Sequence, residues 1–508
     1  RALGIADDTL LFFCSDNGPE GKSGSAPGTA AHFSGRKRSL LEGGIRVPGI
    51  VEWPGRVKAG RSTDIPCVTS DYLPTILDLL GVEPITDRSI AKFREGMESG
   101  VVETKLTIGN VIAQLDTQLA VPIEESQFMG PTTMYPDDFS AEDKARLTAA
   151  YRAKTEEIYA AHERLRDFLR DEYLPVAREQ VGLSAMKGGD KLYEQLIEST
   201  TTLPLKADDI HKLGLSEVER IKGELEKLKE EVGFDGTLTE FFDYVRTDPK
   251  FKPKSREALT QSYYDIGKRV DEKIGDYFSL TPKADLVIKP YDPSIEQFQA
   301  GGSYQSGTPD GSRPGTFNFN AYDLPSRLTT GNVTLYLHEG EPGHHFQISL
   351  AQENEDLPAF MRFGGTTSYV EGWATYITEA LIDNGYQSDS NELKLVWYKH
   401  LLRVIANAIL DIRLHTKNMS DDEALELLRR QAFQEAEEAR GKLLRAKLTS
   451  AQLPLYYVGW RDWLRVRDHY QEETQDFRLV SFHDKALSVG PVPLPELGYL
   501  VANRPMPQ

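Results

Sequence analysis

The chain has 508 residues, 39% of them hydrophobic and 27% charged, with a formal net charge of −19 at pH 7. That length and apolar content suit an ordinary globular chain of more than one domain, and the acidic balance excludes a nucleic-acid backbone as partner, because phosphates require clustered Lys and Arg. No run of about 18 apolar residues occurs, so no membrane span is expected, and the two cysteines, Cys14 and Cys67, make no disulfide framework.

In chain order, Thr9–Cys14 is a short apolar run that ends at Ser15-Asp16-Asn17-Gly18-Pro19, the pattern of a strand buried on both faces and closed by a loop. Gly44–Trp53 reads as a second strand and Ser70–Leu80 as an amphipathic helix stopped at Gly81. Residues 1–85 hold nine basic and ten acidic groups, which leaves 50 and 68 for the remainder, so the acidic excess belongs to the second part. The chain opens on Arg1, not Met, in the approach to a strand, and its natural start is expected further upstream.

From residue 86 the texture changes to long charged helices. Ala141–Leu174 and Ser216–Val232 repeat apolar residues every three or four positions, with Ser216-x-x-Glu219 resembling a capping box. Leu393–Thr416 and Asp421–Leu448 continue the pattern, and their charge runs read as solvated faces. Between Gly301 and Thr330 lies a stretch rich in Gly, Ser, Pro and aromatics, including Tyr304, Arg313 and Arg327. It reads as an irregular loop lining a substrate cleft; the plainer alternative is a surface excursion.

The densest chemistry follows in His338-Glu339-Gly340-Glu341-Pro342-Gly343-His344-His345. Imidazoles with an adjacent glutamate are the groups of a hydrolytic zinc site. Helical zinc motifs set two histidines four residues apart; here the separation is six or seven, roughly 9–10.5 Å along an unbroken helix, too far for one ion. Pro342-Gly343 predicts a break that folds the extra residues out. His344 is the preferred second ligand, since omitting Glu341-Pro342 restores His-Glu-x-x-His, and His345 is the alternative. Glu371, in the weakly charged segment Ser368–Tyr376, is the candidate third ligand; the competing reading is an ion pair with Arg362 or Arg403.

At these residues the chain resembles the family of domain of unknown function 885. The matching segments are His338-Glu339-x-x-Pro342-Gly343-His344-His345, Tyr369-Val370-Glu371-Gly372-Trp373-Ala374, Asp310-Gly311-Ser312-Arg313-Pro314-Gly315, Asp411-Ile412-Arg413-Leu414-His415 and Tyr457-Val458-Gly459, with weaker agreement over residues 87–500. The resemblance implies a mainly α, gluzincin-like or oligopeptidase-like domain with a deep cleft, covering 86–508 and lacking the family's N-terminal part. It implies one zinc ion held by His338, His344 and Glu371, with Glu339 as general base, peptides as substrates, and a periplasmic or extracellular location.

Residues 1–85 resemble instead the C-terminal part of a sulfatase catalytic domain, on Ser15–Gly21 and Gly35–Gly49. That resemblance implies a small α/β fragment in which Asp16 and Asn17 would bind Ca²⁺ and Lys37 would contact sulfate. The Cys-x-Pro-x-Arg segment that yields the sulfatase nucleophile is absent, as are the paired aspartates that complete the calcium site. Neither Ca²⁺ binding nor sulfatase activity is expected of this piece.

The leading expectation is zinc-dependent hydrolysis of peptide bonds, of oligopeptidase or carboxypeptidase type. Tyr457 is the first candidate donor to the oxyanion, with Tyr456 and His415 as others; Arg313, Arg327 and Tyr304 are candidates for binding substrate. Packing is the alternative for each tyrosine and for His415, a surface ion pair for each arginine. The rival functions are a catalytically inactive helical peptide-binding remnant and, further off, sulfuric ester hydrolysis. Substrate length and oligomeric state are open at this stage.

Overall fold

The computed structural model describes residues 11–14, 49–52, 60 and 82–506, except 137, 294, 295, 297, 298 and 387–389. The expected helix at Ser70–Leu80 and the positions Asp16, Asn17 and Lys37 lie outside the described residues. Leu11–Cys14 (β1) and Gly49–Glu52 (β2) pair antiparallel, Leu11 opposite Glu52 and Cys14 opposite Gly49, inside the two strands expected there.

By its internal contacts the chain divides into two compact units, Arg1–Glu95 with Val111–Pro175, and Gly96–Asn110 with Val176–Gln508. In the first, Ser140 caps the helix Ala141–Phe168 by accepting from the Asp143 N–H, which satisfies one of the free donors at a helix start. The expected helix to Leu174 widens into a π-helical turn at Leu169–Tyr173. Phe93 packs edge-on to Tyr173 at 4.9 Å between ring centroids, inside this unit.

The second unit is mainly helical and carries the principal core. Ala207–Glu231 (α1) buries Ile210, Gly214, Val218, Ile221, Leu225 and Leu228, one stripe at three- and four-residue spacing. Ser216 is inside this helix and not at its start: its hydroxyl donates to the Leu213 carbonyl, so the capping box expected there is corrected. True capping boxes stand at Thr237/Glu240 and Ser420/Glu423.

The stretch 301–330 is also corrected. Gly302–Gln305 (β4) and Gly315–Phe319 (β5) join Leu286–Pro290 (β3) in a sheet ordered β3-β5-β4, with β3 parallel and β4 antiparallel to β5. The aromatic residues that looked like loop lining are central-strand core: Phe317 and Phe319 are fully buried. Gly and Pro punctuation around strands of four and five residues masked the pattern.

Six further helices build the site: Asn332–Glu339 (α2), His344–Glu353 (α3), Thr367–Asp383 (α4), Asn391–Thr416 (α5), Ala436–Leu448 (α6) and Pro454–Glu473 (α7). The expected helix Asp421–Leu448 is broken by a π-helical turn at Leu427–Gln431, and α6 is its second part. Helices α4 and α7 cross backbone to backbone: a Cβ on Gly372 would lie 2.6 Å from the carbonyl carbon of Gly459, inside any tolerable contact, so glycine is required for the approach. Trp373 and Trp463 lock the crossing with ring centroids 5.0 Å apart, and the Trp463 N–H donates to the Tyr369 carbonyl. No helix among the described residues is long and apolar enough to cross a membrane.

Candidate metal centre

The helix break foreseen at Pro342-Gly343 is present. Helix α2 ends at Glu339 and α3 begins at His344, so His338 stands in the last turn of one helix and His344 opens the next. A Cβ on Gly343 would lie 2.6 Å from the His338 carbonyl carbon and closer still to the Leu337 and His338 carbonyl oxygens. Only glycine lets the chain fold back this tightly. The Trp373 indole N–H then donates to the Pro342 carbonyl at 3.1 Å, tying the break to α4.

The result brings His338 and His344 to 4.8 Å between ring centroids. From α4, Glu371 places one carboxylate oxygen 3.2 Å from His338 Nε2 and 3.6 Å from His344 Nε2. Ligand atoms of all three residues lie within 4.8 Å of one another, and Glu339 stands 4.0 Å from His344 Nε2. The ion-pair alternative for Glu371 fails, because Arg362 binds the Gln352 carbonyl and Arg403 binds Glu438.

Burial pushes the Glu371 carboxyl up, but His338 and His344 beside it hold it well below the usual carboxylate range. For His344 burial works downward and is outweighed by Glu371 and then Glu339, which raise it. The protein alone satisfies this cluster incompletely. His344 Nδ1 is buried without a hydrogen-bond partner, and 3.6 Å from Nε2 to Glu371 is too long for a hydrogen bond. Two imidazoles and one ionised carboxylate at this spacing fit a zinc-type cation, with room in a tetrahedral shell for one further ligand.

The profile described as bacterial protein of unknown function (DUF885) matches residues 70–501. The chain belongs to the DUF885 family. Two solved structures resemble this DUF885 fold, each of a protein carrying a provisional lipoprotein designation. The one from Colwellia psychrerythraea aligns at TM-score 0.73 and 25% identity over 87% of this chain and 77% of that one. The one from Shewanella oneidensis, of unknown function, aligns at 0.68 and 23% identity over 85% and 79%.

A sulfatase profile matches residues 1–82. Steryl-sulfatase of Rattus norvegicus is 40% identical over 93 residues, 17% of this chain and 16% of that protein. Arylsulfatase of Hemicentrotus pulcherrimus is 44% identical over 85 residues, 16% and 15% respectively. The chain thus spans about a sixth of the length of these curated relatives.

Around the DUF885 cluster, the other residues anticipated from sequence fall elsewhere. His345 is 1% exposed, with Nδ1 3.0 Å from the Tyr304 hydroxyl and Nε2 3.6 Å from Glu341, and burial lowers it to about 4. Tyr304 therefore supports His345 and does not join the three clustered donors. His415 stacks on Tyr193 and sits between the Ala446 and Thr449 carbonyls at 3.0 and 2.8 Å, a structural post and not an oxyanion donor. Arg313 donates to the Ser306 and Gly307 carbonyls and Arg327 to Tyr322 and Asn320, so both guanidinia brace local turns.

Tyr457 is almost fully buried against Trp460 and Arg461, and burial pushes its hydroxyl up to about 12. One helical step away, about 100° of rotation, Tyr456 is half-buried and feels the charges of the cluster. Burial and then Glu371 raise its hydroxyl, Glu339 adds to the effect, and Arg445 hydrogen-bonds it. His400 was not anticipated: its ring centroid lies 6.5 Å from that of His338, and its Nδ1 meets Arg403 at 2.9 Å. The signal available for His400 was its place on the helix that follows Glu371, which no spacing rule singles out.

Proposed function

We propose that this DUF885 chain is a zinc-dependent hydrolase of peptide bonds. The observation that carries the reading is the convergence of His338, His344 and Glu371 with Glu339 beside them. Zinc, when bound, would polarise a carbonyl and make a water acidic enough to be deprotonated near neutral pH. Glu339 takes the proton of the attacking water and delivers it to the leaving amine. The Tyr456 hydroxyl donates to the oxygen that gains charge during attack, in a setting whose burial keeps it protonated. A location outside the cytoplasm is part of the proposal, supported by the lipoprotein designation of the Colwellia psychrerythraea neighbour.

The test is zinc content together with cleavage of a quenched peptide library, comparing the full chain with Glu339→Gln. The reading expects the variant to retain zinc and lose roughly 10²- to 10⁴-fold in rate. Zinc-loaded unsubstituted protein that cleaves nothing would leave the peptide-binding remnant as the better account. Turnover of an aryl sulfate would revive the front segment as an enzyme.

A further inference from the structure

Next to the clustered donors lies a concentration of positive charge in an otherwise acidic protein. Lys442 and Arg445 are one turn apart on α6, on the same face. Helix α6 packs on α5, which carries His400 and Arg403 at the same spacing. The carboxylates nearby are already engaged: Glu438 holds Arg403 at 2.8 Å, and Glu435 holds Lys399 at 2.9 Å and Arg246 at 3.4 Å. Arg445 meets the Gln452 side-chain oxygen at 3.0 Å and the Tyr456 hydroxyl, both neutral. Among the described residues neither Lys442 nor Arg445 has a carboxylate in ion-pairing distance.

Both side chains are partly buried. Like charges gathered in partial burial destabilise a fold unless an anion joins them. The strain registers on Lys442, which burial, then Arg403 and Arg445, lower to about 8, with Glu438 alone opposing. The cluster reaches the metal centre at two points. His400 links Arg403 to the ring of His338, and Tyr456 links Arg445 to Glu371 and Glu339. A guanidinium and an ammonium together suit a carboxylate, one by a fork and the other by a point charge.

Resting on the hydrolase reading, we propose that Arg445 and Lys442, with Arg403 beside them, receive the free α-carboxylate of a peptide, so that the centre works at peptide C-termini. The experiment uses the full, zinc-loaded chain carrying Glu339→Gln, so that binding is read without turnover. The probes are a fluorescent N-acyl tripeptide acid and the same tripeptide as its C-terminal amide. The acid is expected to bind at least about tenfold more tightly, and Arg445→Gln or Lys442→Met to remove most of that preference.

Equal affinity for acid and amide, no binding of the acid at millimolar concentration, or an undiminished preference in both variants overturns the proposal. Should Arg445→Gln fail to fold, Lys442→Met and the acid–amide pair decide by themselves. Failure here is separable from failure of the hydrolase reading. Acid preference in a protein that cleaves nothing keeps the subsite and sinks hydrolysis; indifferent cleavage of acid and amide does the reverse.

Discussion

Gly343→Ala isolates the fold-back that joins the two histidines. The new Cβ would lie 2.6 Å from the His338 carbonyl carbon, where carbon atoms ordinarily stop at about 3.5 Å. The obstacle is backbone, so the chain itself must open by about 1 Å, and it must do so between His338 and His344. Zinc ligation tolerates about 0.2 Å of error. An opening several times larger detaches one imidazole, and zinc affinity is expected to fall by about 100-fold or more, near 3 kcal/mol. The fold should lose only about 1–3 kcal/mol, the usual cost of overpacking, because the break is tied to the Trp373–Trp463 core by the hydrogen bond from Trp373 to Pro342, which a small shift can keep. Competition with a chromophoric chelator gives the affinity and circular dichroism the helicity. A variant with native helicity and zinc affinity within threefold of the parent would refute the reasoning.

Tyr456→Phe is expected to lower kcat about 10²-fold with KM within about threefold, while Tyr457→Phe, whose ring packs on Trp460, should leave kcat alone in the same assay. His415→Ala should cost about 2–4 kcal/mol in urea unfolding, from its cavity and the two orphaned carbonyls, without altering zinc content. Glu379 gives a pH signature: burial and then Asp383 raise its carboxyl to about 7 from an ordinary 4.5, although the Trp460 N–H donates to it at 2.7 Å. The folded protein therefore keeps a proton that the unfolded chain releases, and stability should fall from pH 4.5 to 7 by up to about 3 kcal/mol. Glu379→Gln should flatten that slope in urea melts at pH 5 and 8; an unchanged difference between the two pH values counts against the assignment.

The clustered donors were legible because their chemistry is local. His338-Glu339 and His344-His345 around Pro342-Gly343 announce a break, and a lone acid in an apolar helix announces a partner. The helical periodicity of residues 216–232 was equally plain, but the helix begins nine residues earlier at Ala207, and the capping pattern at Ser216 occurs by chance inside it. What escaped the sequence was rotational phase and sheet pairing. Tyr456 and Tyr457 differ by one helical step, and only packing against Trp460 decides which faces inward. The short strands Gly302–Gln305 and Gly315–Phe319 carry too few residues between Gly and Pro to show alternation, and they gain their order from pairing with each other and, for Gly315–Phe319, with Leu286–Pro290. Arg313 donates to main-chain carbonyls and Arg327 to one main-chain carbonyl and the Asn320 side-chain oxygen, neutral acceptors that no charge pattern in the sequence records.

Trp373 sits two residues beyond Glu371 on α4 and holds the Pro342 carbonyl. One rigid rod thus presents the acidic donor and clamps the hairpin that presents both imidazoles. On the zinc reading, α4 and the glycine fold-back position the donors, so loading and chelation are expected to leave the far-ultraviolet spectrum unchanged. Metal capture on that reading would be docking into a finished seat, quite unlike the folding-coupled capture of small zinc modules.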